Sequence, residues 1–321
     1  MNGKLVVSSS PHIRTIQSVQ SVMLDVLIAL GPVVAVAIFL FGYQALITMT
    51  VAVAAAMLTE ALWLRRLNIF GDGSAAVTGL LLAMTLPPNV SWWIPAIGSV
   101  TAIIIGKQVY GGIGNNIFNP ALVGRAVLVT SWGTHLVGPI WPVPKPFHFF
   151  ADISAVTSAT PLASEAEALN TALSQLLIGN VAGALGETSA LALLLGGFWL
   201  LYKGHIDWRI PGGFIGTVWL MGALFGGGFY GNNVTTGFFH VLAGGVLLGA
   251  LFMATDMVTS PVTPWGKLIF GVGCGLITML IRLFGAHPEG VTFAILTMNA
   301  LTPLLDKFTI PRKFGEVKQV A

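Results

Sequence analysis

Long apolar blocks alternate with short polar stretches along nearly the whole sequence. Only 8% of the residues are charged, whereas a soluble globular domain carries roughly 25%. Because so few charges cannot cover the surface of a soluble protein of 321 residues, the chain is predicted to be an all-α integral membrane protein. The expected fold has about ten transmembrane helices, some of them short or broken. The candidate segments are 22–41, 44–64, 74–87, 92–110, 117–134, 188–202, 211–229, 237–254, 266–284 and 290–306.

Positive charges predict the orientation. With the N-terminus in the cytoplasm, all but three of the fifteen Lys and Arg residues fall in cytoplasmic loops and tails. This bias follows the positive-inside rule, so both termini are predicted to be cytoplasmic. The chain then divides into a cytoplasmic segment, five spans, an external connection, five more spans and a cytoplasmic tail. Their predicted bounds are 1–21, 22–134, 135–187, 188–306 and 307–321.

The two sets of spans show a weak internal similarity. LLLAMTLPPNVSWW (80–93) is similar to ALFMATDMVTSPVTPW (250–265), and ALVGRA (121–126) is similar to AILTMNA (294–300). An odd number of spans in each half makes the second half enter from the opposite side, which predicts an inverted repeat. Inverted repeats often meet at broken helices near the bilayer midplane, where ligands or ions bind. Chance similarity between apolar, Gly-rich segments is the alternative.

The predicted external connection carries two features. A Ser at 164 with a Glu at 167 forms a capping-box pattern, and leucines follow at helical spacing, which predicts an amphipathic helix. Ahead of it, AVTSATPLA (155–163) offers the hydroxyls of Thr157, Ser158 and Thr160 beside the small Ala159. Pro161 keeps Thr160 extended, so a modifying enzyme has access to its hydroxyl. On the residues alone, a polar turn is the simpler interpretation.

The stretch GKQVYGGIGNNIFNPALVGRA (106–126) combines glycines, amides and an arginine inside a predicted span. Asn119 and Pro120 suit the cap and first turn of a helix, whose free N–H groups favour an anion. A buried arginine such as Arg125 needs a partner and is a functional candidate. An ordinary helix entry with a structural Arg–carboxylate pair is an equally good interpretation.

Acidic residues in or near the spans are candidates for an ion path. Asp25, Glu60, Glu187 and Asp256 are the main ones, and Asp256 lies beside hydroxyl groups suited to a hard cation. Structural pairing of each acid with Lys or Arg is the competing interpretation. Two further acids, Asp72 and Asp306, lie near span ends and are interpreted as interfacial.

Some chemistries are excluded for this chain alone. Cys274 is its single cysteine, so it cannot form an iron–sulfur cluster or a cysteine-based metal site. No G-x-G-x-x-G follows a strand, so it is not expected to bind NAD. The basic residues are dispersed, which gives no sign of nucleic-acid binding.

Taken together, the sequence resembles a family of redox-driven ion translocases. The motifs DGSAAVTGLLLAMTLPP, GKQVYGGIGNNIFNPALVGRA, VTSATPL, FMATDMVTSPVTPWG and HPEGVTFAILTMNALTPLLD resemble the D-subunit family of the Rnf electron-transport complex. The B subunit of the sodium-translocating NADH:quinone reductase is similar. The resemblance covers about residues 11–306 and implies a multi-pass protein of the prokaryotic cytoplasmic (inner) membrane.

The resemblance also implies cofactors and partners. A flavin transferase joins FMN through its phosphate to the last threonine of a [S/T]-Gly-Ala-Thr motif, which corresponds here to Thr157–Thr160 with serine at the glycine position. Thr160 is therefore the expected carrier, and a noncovalent riboflavin is expected elsewhere. Asn119 and Arg125 are expected at the outer end of span five, facing the bound flavin. Other Rnf subunits, including an external flavin subunit, and membrane lipid are the expected partners.

The predicted function is that of a membrane electron-transfer subunit, not catalytically complete alone. Its complex couples ferredoxin:NAD⁺ electron transfer to Na⁺ or H⁺ translocation. The alternative is an inverted-repeat solute channel or transporter without a redox cofactor. Flavin content separates the two.

Overall fold

The fold is built almost entirely of helices that follow the apolar segments. The computed structural model describes residues 17–65, 71–136, 141–142, 144, 146, 157–158, 162, 172–226, 233–285 and 290–311. The α-helices are α1 Val19–Leu64, α2 Ser74–Met84, α3 Trp93–Ile104, α4 Pro120–Leu136, α5 Leu173–Ile178, α6 Ala190–Tyr202, α7 Arg209–Phe225, α8 Asn233–Leu242, α9 Val246–Met253, α10 Pro264–Phe284 and α11 Val291–Thr309. A 3₁₀ turn covers Gln108–Tyr110, and the last five residues of α9 are π-helical.

Helix α1 contains the first two predicted segments. It has 46 residues, and at 1.5 Å per residue its length of about 70 Å is more than twice the apolar thickness of a bilayer. Gly42 interrupts it with a φ of 62°, a conformation that glycine adopts without strain. The helix is therefore two consecutive segments that meet at Gly42, as the gap between 41 and 44 predicts.

Each of the ten predicted segments is mostly helical within the described residues, but helix length supports fewer crossings. Two described helices, α1 and α10, are long and apolar enough to cross a membrane, and α8 with α9 makes a third if the bent pair is one span. Helices α2, α6 and α7 are apolar but have only 10–17 residues, against about 20 for a full crossing. The prediction of ten transmembrane helices is therefore not supported in full by the helices themselves.

Two apolar segments are interrupted inside the protein: the segment that contains α2 and the segment formed by α8 and α9. Helix α2 ends at Met84, and α8 and α9 bend by 65° across Ala243–Gly245. Gly244 has a φ of 73° at this bend. Helix α9 packs against α11, where Val291 lies so close to Gly249 that a Cβ at this glycine would be 2.4 Å from Cγ1 of the valine.

The two halves of the chain pack against each other as well as within themselves. Helices α2 and α3 pack on α1, while α10 packs on α7 and α11. Helix α6 of the second half lies on α1, and a Cβ at Gly196 would be 2.1 Å from the carbonyl oxygen of Ala29. One large apolar core, which includes Leu30, Met84 and Phe252, therefore spans both halves.

Little of the predicted external connection is described. Trp141–Pro142 (β1) pairs antiparallel with Thr157–Ser158 (β2). Helix α5 covers the last part of the predicted amphipathic helix, and its Leu176 packs with Phe239 and Leu162. The rest of that predicted helix, including its capping box, lies outside the described residues.

Candidate functional site

A cleft lies between the two halves at the end of the molecule where α4 begins. It encloses about 840 Å³, its open mouth included. Its walls combine apolar side chains of α1, α6 and α9 with polar groups from the loops. The polar and charged lining residues are Ser74, Thr78, Lys107, Asn116, Asn119, His205, Thr255 and Asp256. An apolar slot with a polar end can hold a ring system that carries hydrogen-bonding groups.

The start of α4 forms one wall of the cleft. Oδ1 of Asn119 accepts from the backbone N–H of Ala121 at 3.0 Å and of Leu122 at 3.4 Å. Pro120 occupies the first turn, where no backbone N–H is needed. Nδ2 of Asn119 donates to the carbonyl oxygen of Met253 at 3.0 Å. Asn119 therefore caps α4, as predicted from the sequence, and also closes the end of α9 in the other half.

Arg125 lies further along α4 and is buried, with 4% of its side chain exposed. Its guanidinium donates to the carbonyl oxygen of Thr85, just after the end of α2. Helix α4 runs from Pro120 towards the connection that contains Thr157 and Ser158. Asn119 is therefore at the end of α4 that is remote from that connection. Arg125 lies within two turns of Asn119. That these residues face a flavin at the outer end of span five stays a prediction.

Glu60 forms a buried ion pair with Lys107. The Nζ of Lys107 lies 2.6 Å from Oε1 of Glu60, and the lysine side chain is 3% exposed. Lys107 also donates to Oγ of Ser74, and Nε2 of Gln108 donates to the same glutamate oxygen at 2.9 Å. This is the structural pairing that competes with an ion-path role for Glu60.

Asp72, expected to be interfacial, precedes α2 and belongs to the same corner. Its carboxylate accepts from the N–H and the hydroxyl of Ser74. Burial raises the pKa of Asp72, but these hydrogen bonds and the positive charge of Lys107 outweigh burial, so the pKa lies below its ordinary value. The carboxylate is therefore held in its charged form beside Ser74 and Lys107, which line the cleft.

Asp256 follows the end of α9 and lines the cleft. It accepts from the backbone N–H of Val258 at 3.3 Å and from the hydroxyl of Thr259 at 3.2 Å. No Lys, Arg or His in the described part of the chain lies within ion-pair distance of it. Of the acids proposed for an ion path, Asp256 is thus the one with hydroxyl and amide neighbours at the cleft.

Asp25, by contrast, is paired. Its Oδ2 lies 2.7 Å from Nε2 of His205, and its Oδ1 lies 3.8 Å from Nζ of Lys203. These contacts join α1 to the turn between α6 and α7. His205 and Lys203 therefore connect the acid of the first half to the second half.

A second, smaller cavity adjoins the cleft behind His205. It encloses about 550 Å³, its mouth included, and Asp207, Ser260 and Lys267 line it. Asp207 forms ion pairs with Arg209 at 2.9 Å and with Lys267 at 3.2 Å. Burial raises the pKa of Asp207, but hydrogen bonds from Arg209 and Lys267 outweigh it and hold the pKa below its ordinary value.

The remaining predicted residues lie elsewhere. Oε1 of Glu187 is 3.0 Å from the position that a Cβ on Gly245 would take, so this acid lies at the bend between α8 and α9. Asp306, which lies on α11, accepts a hydrogen bond from the backbone N–H of Val262 at 3.0 Å. Thr157 and Ser158 lie in β2, whereas Ala159 and Thr160 are outside the described residues.

Sequence reasoning missed three residues of the cleft. It names neither Ser74, which joins Asp72 to Lys107, nor His205, which meets Asp25 from 180 positions away. From the sequence, Lys107 is counted only as one of the positive charges predicted to be cytoplasmic. A lysine directly after a long apolar run, within the same stretch as Asn119, is the available signal for its role.

Comparison with known proteins supplies the family. The family model described as "NQR2, RnfD, RnfE family" matches residues 6–315. The chain belongs to the NQR2, RnfD, RnfE family. A member from Acetobacterium woodii, the D subunit of its Na(+)-translocating ferredoxin:NAD(+) oxidoreductase complex, is 45% identical over 98% of this chain and 96% of its own length.

Two other members cover nearly as much of the chain. The D subunit of the proton-translocating ferredoxin:NAD(+) oxidoreductase complex of Clostridium ljungdahlii is 44% identical over 96% of each chain. The D subunit of the ion-translocating oxidoreductase complex of Stutzerimonas stutzeri is 41% identical over 93% of this chain and 92% of its own. Membership of this family confirms the resemblance seen in the sequence motifs.

The acids of the cleft do not assemble into a larger ligand cluster. In the described part of the chain, no group of three or more His, Cys, Asp or Glu side chains is arranged to hold a metal ion.

Proposed function

We propose that this chain is a membrane electron-transfer subunit of a complex that couples ferredoxin:NAD⁺ electron transfer to ion translocation. The observation that supports this most is near full-length similarity to subunits named for that activity. One of these relatives is named for Na⁺ and the other for protons, at 45% and 44% identity. Overall similarity therefore favours neither ion, and the proposal includes both.

The proposed covalent cofactor is FMN, esterified through its phosphate to Thr160. The support is the Thr-Ser-Ala-Thr sequence at 157–160, which matches the flavin attachment motif in three of four positions. The bound flavin supplies the redox chemistry, and the chain supplies its distance and electrostatic surroundings. An external flavin subunit is the proposed partner, and a flavin transferase makes the bond.

Flavin fluorescence in a denaturing gel tests the attachment. The protein co-expressed with a flavin transferase is expected to give a fluorescent band that disappears in Thr160→Ala. Ser164→Ala removes a hydroxyl four positions away and is expected to keep the band. Mass spectrometry of the peptide is expected to show FMN less water on Thr160. A dark wild-type band would contradict the attachment and favour a transporter without flavin.

A noncovalent riboflavin is the second proposed cofactor, and the cleft beside Asp256 fits it chemically. The apolar walls of α1 and α9 suit a flat ring system, while Ser74, Thr78 and Asn116 offer groups for the ribityl hydroxyls. Ile113→Trp puts bulk into the cleft and is expected to reduce flavin released by denaturation. Ile117→Trp, on an exposed residue of the same loop that does not line the cleft, is expected to retain it.

The proposed topology has ten membrane segments in two inverted sets of five, with both termini cytoplasmic. The helical segments at each predicted position, the break at Gly42 and the paired interruptions at α2 and α9 support it. Single cysteines placed at 10 and 315 in a Cys274→Ala background test the orientation. Both are expected to react with a membrane-impermeant thiol reagent only after the cells are opened.

The acids divide into two groups under this proposal. Asp256, at the cleft with hydroxyl neighbours, is the proposed cation-path residue. Glu60 and Asp25 are paired with Lys107 and His205, so their proposed roles depend on those partners. Asp256→Asn is expected to uncouple ion transport from electron transfer in vesicles, while covalent flavin on Thr160 stays unchanged.

A further inference from the structure

His205 forms part of the wall between the cleft and the smaller cavity. It lines both, and only 5% of its side chain is exposed. Ile206, Thr255 and Met257 are the other residues common to the two linings. Among the described residues that line both cavities, His205 is thus the titratable one.

Asp25 holds the imidazole in place. The distance of 2.7 Å between Nε2 and Oδ2 is that of a hydrogen bond, and an ionised carboxylate can only accept. Nε2 therefore carries the proton in the neutral ring, which leaves Nδ1 as the basic nitrogen. An imidazole in this arrangement can take up a proton on Nδ1 without breaking its bond to Asp25. Lys203 lies 3.8 Å from Oδ1 of the same carboxylate.

The other charged groups around the two cavities have their own partners or different positions. Lys107 lines the cleft but is paired with Glu60. In the second cavity, Asp207 and Lys267 are paired with each other. Asp256 lies on the cleft side only. His205 is therefore the group placed to exchange a proton between the smaller cavity and the cleft.

We propose that His205, positioned by Asp25, relays protons from the smaller cavity to the flavin in the cleft. This rests on the proposed function, which places a redox cofactor there. A flavin in the cleft would supply the redox chemistry, with its electrons coming from the donor flavin of the complex. His205 would hold a proton on Nδ1 and give it up to the cleft when that flavin is reduced, so that the Nδ1–H bond breaks and the proton neutralises the added negative charge. The neutral imidazole then takes a proton from water in the smaller cavity, which restores the imidazolium.

The test uses the purified complex and measures flavin reduction together with proton uptake. Stopped-flow absorbance follows the flavin, and a pH-indicator dye follows the protons. His205→Ala is expected to slow proton uptake per bound flavin by about 100- to 1000-fold, the lower part of the range for a lost general acid. Added imidazole is expected to restore part of the rate, because it can occupy the space left by the side chain.

Three further variants sharpen the test. His205→Gln keeps a donor to Asp25 but cannot relay a proton, and it fills the space, so it is expected to be slow and insensitive to imidazole. Asp25→Asn removes the positioning charge and is expected to be slowed less than His205→Ala. His135→Ala, in the last turn of α4, is the matched control and is expected to behave as wild type.

Each outcome separates the relay from the cofactor proposal. A wild-type complex without noncovalent flavin would contradict the riboflavin proposal and the relay with it. Retained flavin with an unchanged rate in His205→Ala contradicts the relay alone. A slow His205→Ala variant that imidazole does not rescue indicates a structural role for His205 and also contradicts the relay.

Discussion

Breaking the ion pair between Glu60 and Lys107 decides between two interpretations of Glu60. Glu60 is either a structural partner of Lys107 or an ion-binding residue on a translocation path. Lys107 is 3% exposed and Glu60 14%, so both charges are largely removed from water. Within the described residues, Lys107→Met leaves the carboxylate with Gln108 as its remaining side-chain donor.

The structural interpretation predicts a large and non-additive effect on stability. Removing one partner of a buried pair costs about 3–5 kcal/mol. Glu60→Gln is milder, about 1–3 kcal/mol, because its amide oxygen can still accept from Lys107. The double variant Glu60→Gln/Lys107→Met buries no charge and is expected to cost less than Lys107→Met alone. The coupling between the two sites is therefore expected to be at least about 1 kcal/mol, the lower end of the cost of Glu60→Gln alone.

Thermal unfolding of the purified chain in detergent measures this coupling. In a protein of this size, 1 kcal/mol corresponds to about 2 °C or slightly less in Tm, so Lys107→Met is expected to lower Tm by about 6–10 °C. Flavin content is measured in parallel, because Lys107 also lines the cleft. An unchanged Tm in both single variants, together with loss of ion transport, would refute the structural interpretation.

Three other changes follow from the packing and the loops. Gly186→Ala is expected to cost about 1–3 kcal/mol, because its Cβ would lie 2.7 Å from Cβ of Met84; Gly216→Ala, with open space around it, is the control, and both are compared by Tm. Arg125→Met leaves the carbonyl of Thr85 without this donor and is expected to lower stability by at least about 1–3 kcal/mol, measured in the same way. Asp207, whose folded pKa is lowered, contributes stability above its ordinary pKa, and that contribution is lost as the pH falls through the folded value. Tm is therefore expected to fall between about pH 5 and pH 3 less steeply in Asp207→Asn than in wild type.

The apolar segments, together with the glycines and prolines at their boundaries, are sufficient to predict the helices. Gly42 lies in the predicted gap between the first two segments, and Pro120 and Pro264 lie in the first turns of α4 and α10. The number of membrane crossings is harder to predict, because hydropathy shows that a segment is apolar but does not show whether the segment crosses the membrane. Helix α2 has 11 residues, about half a crossing, and it is buried by neighbouring helices, which composition alone does not reveal.

The site can be predicted only in part. Asn119 is expected from the sequence to cap a helix, and it does so, but its bond to Met253 spans 134 positions and no local pattern predicts it. The same limit applies to His205 and Asp25, 180 positions apart. Long-range partners follow from how the two halves pack, which a single sequence does not specify.

Helix α4 closes the open ends of both interrupted helices, and this explains why one stretch carries both Asn119 and Arg125. The last carbonyl groups of a helix have no partner within it and concentrate negative potential, which is costly away from water. Asn119 donates to the end of α9 in the second half, and Arg125 donates just beyond the end of α2 in the first. A neutral amide serves the end of α9, next to residues that line the cleft, whereas the charged guanidinium serves the end of α2, and both ends are buried. Among the described residues, Lys107, Asp256 and His205 are the titratable groups that line the cleft, so neither of the two links made by α4 depends on one of them.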